Sequence, residues 1–166
     1  MKIAIISDTH DNIPNLEKFL NWAKNNEIET IIHGGDLCAP GTLKMVLAPG
    51  FSGKIYLIHG NVSDRELLEK VAKEFENVEF FGDFGEIEVD HKKIAFVHRP
   101  EEGKKLAESG KYDLVFYGHN HKPWEEKIGK TRLINPGTLA GMFNRATFAV
   151  YDTETDKLEL KILEQL

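Results

Sequence analysis

The 166-residue chain holds a single cysteine, Cys38. That excludes an internal disulfide and fits a reducing compartment, so a cytoplasmic location is expected. No apolar run approaches the roughly 20 residues of a membrane helix, and no membrane association is expected. The opening stretch Met1 to Asp8 is too short for the apolar region of a signal peptide, and no small-residue cleavage site follows it. Basic charge is scarce: 21 Lys and Arg stand against 27 Asp and Glu, for a net charge of −6. Lys92-Lys93 and Lys104-Lys105 are isolated pairs rather than a stripe. This balance argues against a nucleic-acid polymer as partner, because such affinity depends on neutralising many phosphates. Internal repeats, low-complexity tracts and Pro/Gly/Ser-rich linkers are also missing. One domain over residues 1–166 is expected, with 41% hydrophobic residues to fill its core.

What is present is an alternation of strand and helix. Ile3–Ile6 reads as a buried strand. Pro14 suits the first turn of a helix whose Leu16, Phe19, Leu20 and Ala23 follow helical spacing. Thr30–His33 and Lys54–Ile58 read as strands, with a short helix around Thr42–Leu47 between them. A helix is predicted from Asp64 to about Phe75, with Ser63 or Asp64 as N-cap and Leu67, Leu68, Val71 and Phe75 as its buried stripe. The pattern then shifts to period two. Glu86–Asp90 and Ile94–Val97 form a predicted hairpin, with His91-Lys92-Lys93 as its tight connection and His91 at the tip. A helix near Glu101–Ser109 and a strand over Leu114–Tyr117 follow. Four more strands are predicted at Trp124–Ile128, Arg132–Ile134, Thr147–Asp152 and Lys157–Leu163. Parallel βαβ units early and hairpins late predict a four-layer α-β-β-α sandwich of two mixed β-sheets flanked by helices.

Short clusters of metal-ligand residues follow the predicted strands: Asp8-Thr9-His10, Gly35-Asp36, Gly60-Asn61, His98-Arg99 and Gly118-His119-Asn120-His121. Asn135-Pro136-Gly137-Thr138 supports the last of them. Loops at the carboxyl ends of strands are where α/β proteins gather binding groups. Asp8, His10, Asp36, Asn61, His98, His119 and His121 are thereby expected to meet. Seven donors exceed the needs of one transition metal and point to two ions sharing a carboxylate. Oxygen and imidazole ligands without a thiolate suit Mn2+, Fe2+, Ni2+, Co2+ or Zn2+.

Taken in order, D-x-H, G-D, G-N, H and G-H-x-H, these clusters resemble the calcineurin-like metallophosphoesterase superfamily. The resemblance runs from Asp8 to Thr138. The short length looks like its compact phosphodiesterase branch, which also includes the retromer metallophosphoesterase-like subunit. The resemblance implies that Asp8, His10, Asp36 and His121 hold one divalent ion and Asp36, Asn61, His98 and His119 the other. It implies hydrolysis of a small phosphodiester by a metal-bridging hydroxide, with no covalent intermediate. Asn61, His98 and Arg99 are the candidate catalytic residues.

Two positions depart from the family pattern. Many members carry a histidine directly after G-N, which assists the leaving oxygen; here that residue is Val62. General-acid assistance is typically worth about 10²–10⁴-fold, so weak phosphomonoesterase activity is expected, with better action on diesters whose leaving groups are acidic. Arg99 stands where a glycine is usual and suits bidentate recognition of a phosphate, or else faces solvent. Asp64 and Arg65 share that ambiguity. The alternatives to a phosphodiesterase are a non-catalytic interaction scaffold with a residual metal site, a phosphomonoesterase, or a nuclease. A homo-oligomer built through a surface strand or loop is left open.

Overall fold

A computed structural model describes residues 1–166. A six-stranded sheet has the order β11-β10-β1-β2-β3-β4: Lys157–Ile162, Thr147–Asp152, Lys2–Ile6, Thr30–His33, Lys54–Leu57 and Val78–Phe80. Strands β1 to β4 are parallel, while β10 runs antiparallel to β1 and β11 to β10. A five-stranded sheet has the order β5-β6-β7-β9-β8: Phe84–Val89, Lys92–Val97, Leu114–Phe116, Thr131–Asn135 and Trp124–Ile128. Its centre, β6-β7-β9, is parallel and its outer strands pair antiparallel. Both sheets are mixed, as the sequence predicts.

Side-chain alternation along the strands builds the layers. In β1, Ile3 and Ile5 face the second sheet, where they pack with Ile94, Phe96, Leu114 and Phe116. The intervening Ala4 and Ile6 face outward onto Leu16, Phe19 and Leu20 of α1 (Ile13–Asn25). In the second sheet the outward residues Ala95, Val97, Val115 and Leu133 pack against Ala107 of α5 (Pro100–Glu108). Three hydrophobic layers separate four structural ones, and the sandwich follows.

Differences from the sequence reading are local. The helical stretch over residues 40–50 contains a π-helical segment, Leu43–Leu47, between the short helices α2 (Pro40–Thr42) and α3 (Ala48–Gly50). Helix α4 (Arg65–Ala72) is capped by Asp64, whose carboxylate accepts a hydrogen bond from the Leu67 amide. Leu67 itself is half exposed, a correction to the predicted stripe; Leu68 and Ala72 carry the buried face, with Val71 and Phe75 against its margin. Strand β4 is too short, at three residues, to impose a readable period. His91 is exposed at the tip of the β5–β6 hairpin. No helix is long and apolar enough to cross a membrane.

Candidate metal centre

Every cluster named from the sequence leaves the carboxyl end of a parallel strand. Asp8 and His10 follow β1, Asp36 follows β2, Asn61 follows β3, His98 follows β6, and His119 and His121 follow β7. The two sheets present these ends on one side, and seven side chains converge there. Five of the seven, Asp8, His10, Asp36, His119 and His121, hold positive φ angles between 40° and 72°. Residues bearing a Cβ seldom occupy that region, and strained backbone gathers at functional sites.

At one end of the cluster His10 Nε2 lies 3.0 Å from His121 Nε2. Asp8 Oδ1 is 3.2 Å from His121 Nε2 and 3.8 Å from His10 Nε2. At the other end His98 Nε2 is 3.3 Å from Asp36 Oδ2 and 3.0 Å from Asn61 Oδ1, and His119 Nδ1 is 2.8 Å from that same amide oxygen. Asp36 Oδ2 also lies 3.8 Å from His10 Nε2, so this carboxylate faces both ends. Asp8 and Asp36 are buried, while Asn61 is exposed at the mouth.

The orientation of His98 tests whether the donors fit a cation. Its Nδ1 lies 2.8 Å from the Gly34 carbonyl, which can only accept, so Nδ1 carries the hydrogen. In the neutral ring Nε2 then presents a lone pair to a carboxylate oxygen and an amide oxygen. Three acceptors meeting this closely call for a proton or a metal cation among them. Four imidazoles, two carboxylates and an amide are the donor set of a divalent metal site. The residues fit.

The charged groups of the cluster shift one another. Burial pushes the Asp8 carboxyl above its ordinary value. Burial acts on Asp36 in the same sense, but the hydrogen bond and charge of His98 outweigh it and hold this carboxyl at about 2. The reciprocal holds for His98: burial opposes its charged form, yet Asp36 raises its pKa. Cys38 Sγ stands 3.7 Å from His10 Nδ1. Burial and the charges of Asp11, Asp36 and Asp8 push its thiol up to about 11.

Neighbouring residues lock the loops together. The Asn135 amide donates to the Gly118 carbonyl and to Asn120 Oδ1, and the Thr138 hydroxyl donates to the Asp8 carbonyl. His33, fully buried, accepts from the Gly35 amide at Nδ1 and meets Thr9 Oγ1 at Nε2. His59 stacks edge-on against Phe80. Beside Asn61 and His98 opens a polar groove of about 330 Å³ whose walls include Arg65, Asp83, Arg99 and Glu102, with no hydrophobic residue. Arg65 Nη2 donates there to both carboxylate oxygens of Asp83 at 2.6 and 2.7 Å, and Asp64 is occupied as the cap of α4. Arg99 is exposed and has no carboxylate partner, unlike Arg65, Arg132 and Arg145. Trp124 is half exposed and lines a separate cleft with Ile134, Leu158 and Leu160 at the edges of the two sheets.

Two residues near the centre escape the sequence reading. Ser7 is buried with its hydroxyl beside the Asp8 carboxyl, a placement signalled only by its position ahead of D-x-H. Phe143 stacks on His121 at 6.2 Å between ring centroids, and no motif announces it.

Comparison with known proteins accords with this geometry. The model of the calcineurin-like phosphoesterase superfamily domain matches residues 1–156. Phosphodiesterase MJ0936 of Methanocaldococcus jannaschii is 31% identical over 168 residues, covering 99% of this chain and all of that protein. The structure of an archaeal phosphodiesterase superposes with a TM-score of 0.85 at 29% identity, covering 98% of this chain and 99% of its own. Vps29 from Entamoeba histolytica shares the fold at a TM-score of 0.69 and 17% identity, covering 98% of this chain and 99% of that one. The chain belongs to the calcineurin-like phosphoesterase superfamily.

Proposed function

We propose that the chain is a single-domain, metal-dependent phosphodiesterase acting on small phosphodiesters. The observation that carries this reading is the convergence of Asp8 and Asp36, both buried, with four imidazoles and the Asn61 amide at the carboxyl ends of parallel strands. Asp8, His10, Asp36 and His121 would hold one divalent ion and Asp36, Asn61, His98 and His119 a second, drawn from Mn2+, Ni2+, Fe2+, Co2+ or Zn2+. Bound there, such ions supply charge neutralisation for the phosphate and lower the pKa of water so that hydroxide exists near neutral pH.

The protein's own groups do the positioning. The Gly34 carbonyl fixes the His98 tautomer, so that Nε2 faces the reacting centre. The Val62 amide donates to Asp36 Oδ1 at 3.1 Å, which orients that carboxylate and leaves Oδ2 toward the imidazoles. Arg99, unpaired on the groove wall, offers two parallel N–H donors to a phosphate oxygen pair. The half-exposed side chain of Val62 has no proton to give a leaving oxygen. Diesters with acidic leaving groups are therefore the favoured substrates, and alkyl monoesters the poor ones.

The test is hydrolysis of bis(p-nitrophenyl) phosphate by protein stripped with chelator and then reloaded with Mn2+ or Ni2+, with metal content measured alongside. About two ions per chain and metal-restored turnover are expected. Protein that binds no metal and cleaves no diester would instead be an interaction scaffold.

A further inference from the structure

Phe143 is the most solvent-exposed large hydrophobic residue of the chain, at 92%. It is also held at φ +64°, a region that a bulky side chain avoids. No burial of its ring compensates that strain. Its ring instead lies over the candidate ligand His121, at 6.2 Å and 29° between planes, with the 41%-exposed Met142 beside it.

The loop that carries Phe143 is anchored to the centre itself. The amides of Leu139 and Ala140 donate to the carbonyls of Ser7 and Asp8. The Asn12 side chain donates to the Ala140 carbonyl, and that of Asn15 to the carbonyls of Leu139 and Ala140. On its far side the loop is closed by the bridge between Thr138 and Ala146. Both ends of the loop are thus tied down, the first of them to Asp8, and Met142 and Phe143 form an apolar rim on the His121 side. The opposite rim, beside Asn61 and His98, is the polar groove that carries the unpaired Arg99.

From this asymmetry we infer that Phe143 is a specificity residue: it stacks against a flat aromatic or heteroaromatic arm of the phosphodiester. The inference rests on the phosphodiesterase reading and narrows its substrate class. Diesters with one ring-bearing arm are preferred over those with two short alkyl arms. An exposed aromatic beside a charged centre offers a π-face at little ordering cost, which is how flat groups are commonly held.

Calorimetric titration of Mn2+-loaded protein with phenylphosphonate and with methylphosphonate separates the ring from the phosphorus group. For the wild type the phenyl ligand binds more tightly. In Phe143→Ala the ratio of the two affinities falls about fivefold. Phe143→Trp restores that ratio, and Phe143→Leu restores it only in part. A ratio unchanged in Phe143→Ala overturns the inference, whether both affinities hold or both fall together. The second pattern would make Phe143 a support for His121 rather than a contact of the substrate arm. Wild-type protein that binds neither phosphonate and cleaves no diester overturns the phosphodiesterase reading itself.

Discussion

Gly60 sits where one added carbon would land 1.8 Å from Asp36 Oδ1 and 2.3 Å from the Asp36 amide nitrogen. At Gly118 an added carbon would land 2.1 Å from Ser7 Oγ and 2.5 Å from Asp8 Oδ2. The glycine of one motif therefore makes room for the carboxylate of another, which explains G-N and G-H as units. Gly60→Ala is expected to displace Asp36, lower stability by roughly 1–3 kcal/mol and reduce diesterase activity about 10²-fold. Thermal unfolding and metal stoichiometry measured together check this, and full metal loading in the variant would sink it. Val62 offers the converse change. Val62→His places an ionisable ring beside Asn61, and alkyl monoester hydrolysis should rise about 10²-fold, the lower reach of general-acid assistance. Steady-state kinetics on one alkyl monoester and one activated diester decide it; a gain confined to the diester would show that leaving-group protonation was never the missing function.

At the scale of elements, the hairpin β5–β6 turns through Asp90 and His91, at φ +48° and +63°. Two consecutive left-handed residues mark a type I′ turn, which favours glycine at the second position. The Asp90 carboxylate accepts from the Thr153 hydroxyl at 2.6 Å and should be kept. His91→Gly is expected to stabilise the fold by about 0.5–1 kcal/mol, the left-handed penalty less the added chain entropy. A higher urea midpoint with unchanged m-value and diesterase activity is the expected result; a lower midpoint would refute it. This hairpin was readable because Glu86–Asp90 alternates with period two. Helix α4 was readable in position but not in facing, since Leu67 and Leu68 are adjacent apolar residues and only packing chooses between them. Strand β4 was not readable, because its pairing with β3 rather than any period of its own defines it.

Across the molecule, the buried His33 couples β2 to the loops that carry Asp8 and Asp36. Gly35 N–H donates to Nδ1 at 3.2 Å, so the ring hydrogen sits on Nε2 and points to Thr9 Oγ1, whose hydroxyl donates to the Asp36 carbonyl. Protonation of Nδ1 would break this chain, and burial lowers the imidazole from 6.5 to about 3. The unfolded chain takes up a proton at His33 below pH about 6.5, whereas the folded chain does so only near pH 3. Stability must therefore fall as pH drops through that window, by up to about 1.4 kcal/mol per unit from this group. Urea unfolding of metal-free protein between pH 7 and 4.5 should show a shallower dependence in His33→Gln than in wild type. Equal slopes would remove His33 from the linkage.

The order of the longer strands and helices, the family and the list of seven candidate donors follow from the sequence alone, because each is written in local periodicity or in residue type at a strand end. Which imidazole nitrogen faces which carboxylate does not follow from it. Nor do the left-handed backbone at five donor positions, the pairing of Arg65 with Asp83, or the placing of Phe143 over His121. The nitrogen facings, the Arg65 pair and the placing of Phe143 arise between separate segments, and the left-handed backbone is held by contacts between loops, such as those from the Asp8 and His10 amides to the Gly35 and Asp36 carbonyls. The list of candidate donors is a local property; their convergence is a tertiary one.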